Sequence, residues 1–357
     1  MHINPYLFIL PRPCGQVIWN YKDHTQYELD LDHTIRLAHL IDNPELFDPQ
    51  GIIDTELLNA GILTISKLDN SPWGWDELSK IYHIGTQNIP CEHTPQNIQE
   101  WSRHYLAHCN EVLAAPPPTT DRPGCKADRR IALPRPRALK DESLTRALLQ
   151  RKTCRTYTGA AVTLDDLGTL LYLSFGYLEE REHDRDDSIA HGLGARRSSP
   201  SAGGLNACEA FLLVQNVDGL EPGVYSYHPA EHSLSPINPL PEPALGQLLA
   251  GQHFINNLPL GVFITARFDR LWWKYEHSRA YRMAFVEAGH LSQSFQLVAT
   301  ALGLNTWLTG AFADQQVEAL LSLEGSAEQP LFFVGCGQSD GQAMCDELRE
   351  LLSEGHA

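Results

Sequence analysis

The chain has 357 residues, with 27 Lys and Arg against 44 Asp and Glu and a formal net charge of −17. A surface this acidic repels phosphate backbones and anionic lipid, so nucleic acid and membrane are set aside as partners. With 43% hydrophobic and 20% charged residues the chain can bury a sizeable core, and its length predicts about two domains rather than a disordered polymer.

The apolar run at residues 6–10 is far shorter than the roughly 20 residues of a spanning helix and no small-residue cleavage site follows it, so no signal peptide or membrane anchor is expected. Residues 16–21 and 26–31 alternate across a polar turn at 22–25 and predict a strand pair. Asp32 is expected to cap a helix through Leu40, residues 54–61 read as a helix ending on a glycine cap, and 62–65 as a strand. Residues 73–113 read as helical. Together, residues 1–113 predict a small α+β module, a winged helix being one form it could take. Cys91, His93, His104, His108 and Cys109 include a His pair at helical spacing, but the other spacings fit no zinc pattern, and no metal is expected.

Between 116 and 155 there are eleven Lys or Arg and only four Asp or Glu, an excess of positive charge that invites an anion. Prolines at 116, 117, 118, 123, 134 and 136 resist helix and ladder formation, so residues 114–140 are expected to be an interdomain linker. Over 141–357 helices and strands alternate. Thr163 and Asp166 form a capping box that opens a helix to about Phe175. Strands are expected at 209–214, 223–228, 260–265, 306–309 and 330–334, a long helix at 278–302 with Gly303 at its end, and a last helix near 315–323. This pattern is α+β with one main sheet. The charge-dense stretch at 176–199 reads as a solvated loop of the kind that forms lids. Eight irregularly spaced cysteines with no Cys-x-x-Cys fit a reducing cytoplasm.

Three segments could hold chemistry. Arg151, Lys152, Thr153 and Arg155 offer cations and a hydroxyl in a semi-extended run suited to one phosphate dianion, although a solvated basic turn is the ordinary reading. Pro200, Ser201, Ala202, Gly203, Gly204 and Asn206 precede a buried strand; the small residues let backbone approach a flat ligand, whereas a plain glycine turn needs no ligand. No dinucleotide or P-loop glycine pattern occurs. Lys274 and Tyr275 follow Trp272 and Trp273, and a lysine held against aromatic surface can serve as a base, or simply snorkel from an interface helix. His290 reads as a satisfied core histidine. No metalloprotease or serine-hydrolase motif is present.

In this order and at these spacings the three segments resemble the nitroreductase superfamily of flavoproteins, and within it the SagB-type dehydrogenases that oxidise azolines to azoles in modified peptides. The resemblance spans about 145–337. It implies a nitroreductase-like fold, a central mixed sheet flanked by helices, over residues 141–357. It implies FMN, with Arg151, Lys152, Thr153 and Arg155 on the phosphate and ribityl chain and Pro200, Ser201, Ala202, Gly203, Gly204 and Asn206 along the ring. Glu287 and Gly310 join the cofactor-binding set. The most specific part is Lys274-Tyr275 followed by Arg279, Tyr281, Arg282, Glu287, Gly289 and His290, since ordinary nitroreductases lack the Lys-Tyr pair. The sequence departs from the family after the last strand, where Val334-Gly335-Cys336-Gly337-Gln338 has no proline and only Arg349 follows.

The resemblance further implies a homodimer with FMN at the interface, Lys274 or Tyr275 as the proton acceptor, dioxygen as the oxidant, and a substrate that is a peptide, a carrier-bound intermediate or a small-molecule azoline. The module at 1–113 is then expected to hold the peptide by strand addition. Two other readings stay open: an NAD(P)H-dependent nitro or quinone reductase, and a non-catalytic docking subunit of a peptide-modifying complex.

Overall fold

The chain divides into two units between Gln96 and Asn97 in the computed structural model, which describes residues 1–13, 15–68, 70, 73–90, 95–118, 129–139, 143–178, 196–323, 325 and 327–354. In the first unit β2 (Leu7–Arg12), β3 (Gly15–Asn20) and β4 (Thr25–Leu29) form an antiparallel meander, and β1 (His2–Ile3) pairs with β5 (Leu63–Thr64). The expected strand pair is β3 and β4. β2 grows out of the apolar run at 6–10. Helices α1 (Leu31–Asp42), α2 (Ile52–Asn59) and α3 (Glu77–Gly85) complete the unit, and Ile18, Leu29, Leu37, Leu40, Leu57 and Ile62 fill its core. The cap of α1 is Asp30 rather than Asp32, because Asp30 is extended and its carboxylate accepts the His33 N–H at 2.9 Å. Gly61, at φ 69°, stands just beyond α2, where the glycine cap was expected.

The second unit contains α4 (Ile98–Leu113), β6 (Ile131–Ala132), α5 (Leu144–Gln150), α6 (Leu164–Phe175), β7 (Cys208–Val214), β8 (Gly223–His228), β9 (Ser233–Asn238), α7 (Leu245–Leu248), β10 (Leu260–Arg267), α8 (Phe268–Lys274), α9 (Tyr281–Ala301), β11 (Asn305–Thr309), α10 (Asp314–Leu320), β12 (Glu328–Gly337) and α11 (Asp346–Glu354). Its sheet runs β11-β12-β10-β7-β8-β9-β6 with antiparallel ladders, and a parallel element enters at the edge, where Thr153 bridges Thr306.

Alternation along the central strands explains why both faces are covered. On β7, Ala210, Leu212 and Val214 face one core with Leu167, Leu170 and Leu171 of α6 and Leu291 and Phe295 of α9. Phe211 and Leu213 face the other, with Phe263, Trp307, Phe333 and the α7 leucines. The Thr163 hydroxyl accepts the Asp166 N–H at 3.1 Å, so α6 starts at the expected cap.

Two segments lie elsewhere than the sequence led us to expect. Ile131–Ala132, inside the expected linker, is a sheet edge, and the Leu133 N–H donates to the His232 carbonyl at 3.1 Å. An edge strand tolerates the flanking prolines. Helix α4, expected to close the N-terminal module, belongs to the second unit. Cys91 and His93, and residues 179–195 of the expected lid, lie outside the described residues. Among the described residues no helix is long and apolar enough to cross a membrane, and no cluster of three or more His, Cys, Asp or Glu could hold a metal.

Gly261 on β10 sits against the Phe333 ring, where an added Cβ would lie 2.3 Å from Cζ. Phe333 packs on Phe263 at 4.8 Å and cannot withdraw freely. Gly261→Ala is expected to destabilise the protein by about 1–3 kcal/mol in urea denaturation.

Candidate functional site

Helix α9 is the spine of the site. Its buried residues Ala284, Glu287, Ala288, Leu291, Ser292, Phe295, Gln296 and Ala299 recur at helical spacing, and two of the three polar ones, Glu287 and Gln296, reach the site. Glu287 and Gln296 are nine residues apart, about 14 Å along the axis. Each holds one of the segments singled out by sequence.

At the Gln296 end, α5 stops at Arg151 and the chain continues extended. The Cys154 N–H donates to the Thr306 carbonyl at 2.9 Å, and Thr153 bridges Thr306. Arg151 Nη1 donates to Gln296 Oε1 at 3.3 Å. Arg155 Nη1 donates to the Ala343 carbonyl at 2.6 Å, and its guanidinium lies 5.8 Å from the Phe254 ring. Lys152 is exposed, its Nζ close over Gly341. Among the described residues no carboxylate lies within ion-pair distance of Arg151, Lys152 or Arg155. Three cations without counter-charge suit an anion.

At the Glu287 end, both carboxylate oxygens are engaged. Ser201 Oγ donates to Oε2 at 2.6 Å and the Cys208 N–H to Oε1 at 2.9 Å. Ser201 Oγ in turn accepts the Asn206 N–H at 2.8 Å. Arg197 Nη1 donates to the Cys208 carbonyl at 2.6 Å and stands 3.8 Å from Glu287. Arg270 Nη1 donates to the Asn206 carbonyl at 2.7 Å and pairs with Glu209 at 2.7 Å. All four charged groups are buried. They clamp a turn in which Gly203, Gly204 and Asn206 have φ of 60°, 69° and 48°.

The third segment closes on that turn. Lys274 Nζ donates to the Gly203 carbonyl at 3.2 Å, and a Cβ on Gly203 would lie 2.5 Å from the Tyr275 hydroxyl and 2.9 Å from Lys274 Nζ. Lys274 is 2% exposed. Among the described residues it has no carboxylate partner, and burial lowers its pKa from the ordinary lysine value. Burial likewise raises the Tyr275 phenol. The rings facing the amine are Tyr105 of α4, at 5.7 Å, and Tyr275 itself, at 5.8 Å, rather than Trp272, which is exposed.

The structure thus brings Ser201, Gly203, Gly204, Asn206, Glu287, Lys274 and Tyr275 together, with Pro200 and Ala202 in the same turn, and places Arg151, Lys152, Thr153 and Arg155 further along α9. Gly310 stands exposed beyond β11, beside Phe332. His290, expected in the core, is exposed. The sequence reading missed Arg270, Glu209 and Tyr105. A charge such as Glu209 heading an apolar strand does signal a buried partner, since burying it alone is costly.

The Nitroreductase family model matches residues 148–338, more than half of the chain. The chain belongs to the nitroreductase family, whose members typically bind a flavin. It is 31% identical over 204 residues to the nitroreductase-type protein MJ1384 of Methanocaldococcus jannaschii, covering 56% of this chain and 93% of that one. It is also similar to two processing proteins. The microcin B17-processing protein McbC of Escherichia coli is 30% identical over 142 residues, 38% of this chain and 52% of McbC. The trifolitoxin-processing protein TfxB of Rhizobium leguminosarum is 31% identical over 157 residues, 42% of this chain and 41% of TfxB. The chain spans only about half or less of these two.

Removing the Glu287 carboxylate leaves Ser201 Oγ and the Cys208 N–H without their buried acceptor and takes from Arg197 one of its two nearby counter-charges. Glu287→Ala is expected to cost about 3–5 kcal/mol and Ser201→Ala about 1 kcal/mol, both measured by urea denaturation.

Proposed function

We propose that the protein is an FMN-dependent dehydrogenase that oxidises a thiazoline or oxazoline ring, in a peptide or a carrier-bound or small-molecule intermediate, to the aromatic azole. The observation that carries this reading is Lys274, a buried amine with no carboxylate partner among the described residues, held at the Gly203 carbonyl beside the Tyr275 hydroxyl. Similarity to McbC and TfxB supports the substrate class.

The residues present fit FMN. Among the described residues Arg151, Lys152 and Arg155 lack counter-charge, as suits a phosphate, and Gly203 puts bare backbone beside the amine in a turn where Gly204 also has positive φ, as suits close approach of a flat ring. Serving this ligand, Arg151, Lys152, Thr153 and Arg155 hold the phosphate end, and Pro200, Ser201, Ala202, Gly203, Gly204 and Asn206 the ring end. Gly310 stays a candidate contact. Glu287 serves indirectly, through Ser201. When bound, the flavin supplies two-electron chemistry, accepting a hydride from the substrate ring. Lys274, whose charged form burial disfavours, takes the proton from the ring carbon bearing nitrogen when it is deprotonated, and Tyr275 holds the ring beside it and relays that proton. One proton and one hydride leave the azoline, which balances its conversion to an azole.

In the first unit, β4 is the last strand of its sheet. A cavity of about 460 Å³ lies along it, lined by Tyr27, Leu29, His33, Glu56, Leu57 and Ile62 among others. This edge is the proposed seat of an extended peptide. The apolar residues Leu144, Leu148 and Leu149 of α5 and Phe285 and Val286 of α9 are exposed, which supports a homodimer. Cys109, Cys154, Cys208, Cys336 and Cys345 are free thiols, in keeping with a reducing cytoplasm.

The test is anaerobic flavin reduction in the FMN-loaded protein. A thiazoline peptide is expected to bleach the flavin while NAD(P)H does not. Bleaching by NAD(P)H alone would move the reading to a reductase, and failure to take up FMN would favour a docking subunit. Lys274→Met is expected to lower the reduction rate at least about a hundredfold with FMN still bound.

The rate should also depend on pH with a known sign. Neutral Lys274 is the active form, so the rate rises as pH rises through its pKa, and burial sets that limb below 10.5. A limb at or above that value in the pH profile would contradict the assignment of Lys274 as base.

A further inference from the structure

The helix that the sequence assigned to the other module reaches the proposed base. Along α4, Trp101, Tyr105 and Cys109 recur at a spacing of four and share one face. Exposure grades along this stripe, from Cys109 at 0% through Tyr105 at 38% to Trp101 at 50%. Cys109 anchors the face in the protein and Trp101 meets solvent. The C-terminal end of the helix is tied down beside the site, because Trp273 Nε1, one residue before Lys274, donates to the Ala115 carbonyl at 3.3 Å.

Within this stripe the Tyr105 ring lies 5.7 Å from Lys274 Nζ. The Tyr105 and Trp101 rings have centroids 5.2 Å apart and lie within 8° of parallel, so the two rings stack on one another. Lys274 has no carboxylate partner among the described residues, and the two tyrosine rings and the Gly203 carbonyl lie around its amine.

We propose that Tyr105 is the positioning residue for Lys274 and that the stacked face of Trp101 and Tyr105 is the substrate-side wall of the site, selecting a planar five-membered heterocycle by ring stacking. The choice of heterocycle rests on the azoline reading above; the contact between Tyr105 and Lys274 does not. Parallel aromatic faces favour flat π-systems over saturated side chains. A ring seated there would bring its proton to the amine that Tyr105 holds.

The test uses the full-length, FMN-loaded protein with two readouts. The first is the rate at which trinitrobenzenesulfonate labels Lys274, followed by peptide mass spectrometry, which needs no substrate. The second is flavin reduction by a thiazoline peptide, resolved into kcat and KM. Tyr105→Leu is expected to speed Lys274 labelling and lower kcat, each by about tenfold. Tyr105→Phe keeps the ring and should stay within about threefold of wild type in both. Trp101→Leu, at a half-exposed position that folding tolerates, is expected to raise KM about tenfold with little change in kcat or labelling. Unchanged labelling and kcat in Tyr105→Leu would overturn the positioning role, and an unchanged KM in Trp101→Leu would overturn the wall. If thiazoline peptides reduce no flavin even in the wild type, the azoline reading and the wall fail together, while faster labelling in Tyr105→Leu still upholds the contact with Lys274.

Discussion

The site depends on a buried carboxylate at one position of a long helix. Glu287 spends both oxygens on the turn that follows Pro200, one on Ser201 Oγ and one on the Cys208 N–H, with Arg197 beside it as counter-charge. Arg270 and Glu209 repeat the arrangement on the far side, where the guanidinium holds the Asn206 carbonyl. Buried ions are costly unless each is paired and hydrogen-bonded, so every member of the quartet constrains the others. The product of that constraint is a backbone conformation, three positive φ angles in four residues, that glycine-rich sequence permits but does not impose.

The two ends of α9 contrast in how they treat charge. Around Glu287 the ions are matched, and the turn needs nothing further to hold its shape. Around Gln296, Arg151 is held by an amide and Arg155 by a carbonyl and a ring, and among the described residues no carboxylate pairs with them or with Lys152. Mutually repelling cations favour binding of an anion, and an anion bound there stabilises the fold by mass action. The matched end pre-organises a surface, while the unmatched end supplies affinity. That division suits a ligand with one charged end and one flat end.

How far the sequence speaks for the structure follows from the range of each interaction. Local signals were legible: the Thr163 cap, the glycine beyond α2 and the alternation along β7, β8 and β10 all concern residues a few positions apart. The three site segments were legible as segments, because their composition is unusual. Their joining was not, since Glu287 and Ser201 are 86 residues apart and nothing local marks either as the other's partner. Helix α4 shows the limit clearly. Its helical character was legible and its place was not, since its Tyr105 ring meets Lys274, more than 160 residues along the chain. Asp30 and Asp32 show a smaller limit, as both are competent caps and only the backbone conformation selects between them.

Lys274 and Gly203 are best understood together. A buried lysine beside a carboxylate would stay charged, and would be of little use as a base; here the partner is a peptide carbonyl, which accepts a hydrogen bond from either protonation state without fixing the charge. That arrangement requires the amine and the Tyr275 hydroxyl to approach the backbone of the turn closely. Any side chain at 203 would occupy the space they fill, at 2.9 and 2.5 Å from the two polar atoms, and would also strain a φ of 60°. The glycine is therefore as much a part of the proposed proton-transfer site as the lysine. The ion quartet under the turn holds the glycine where the lysine can use it.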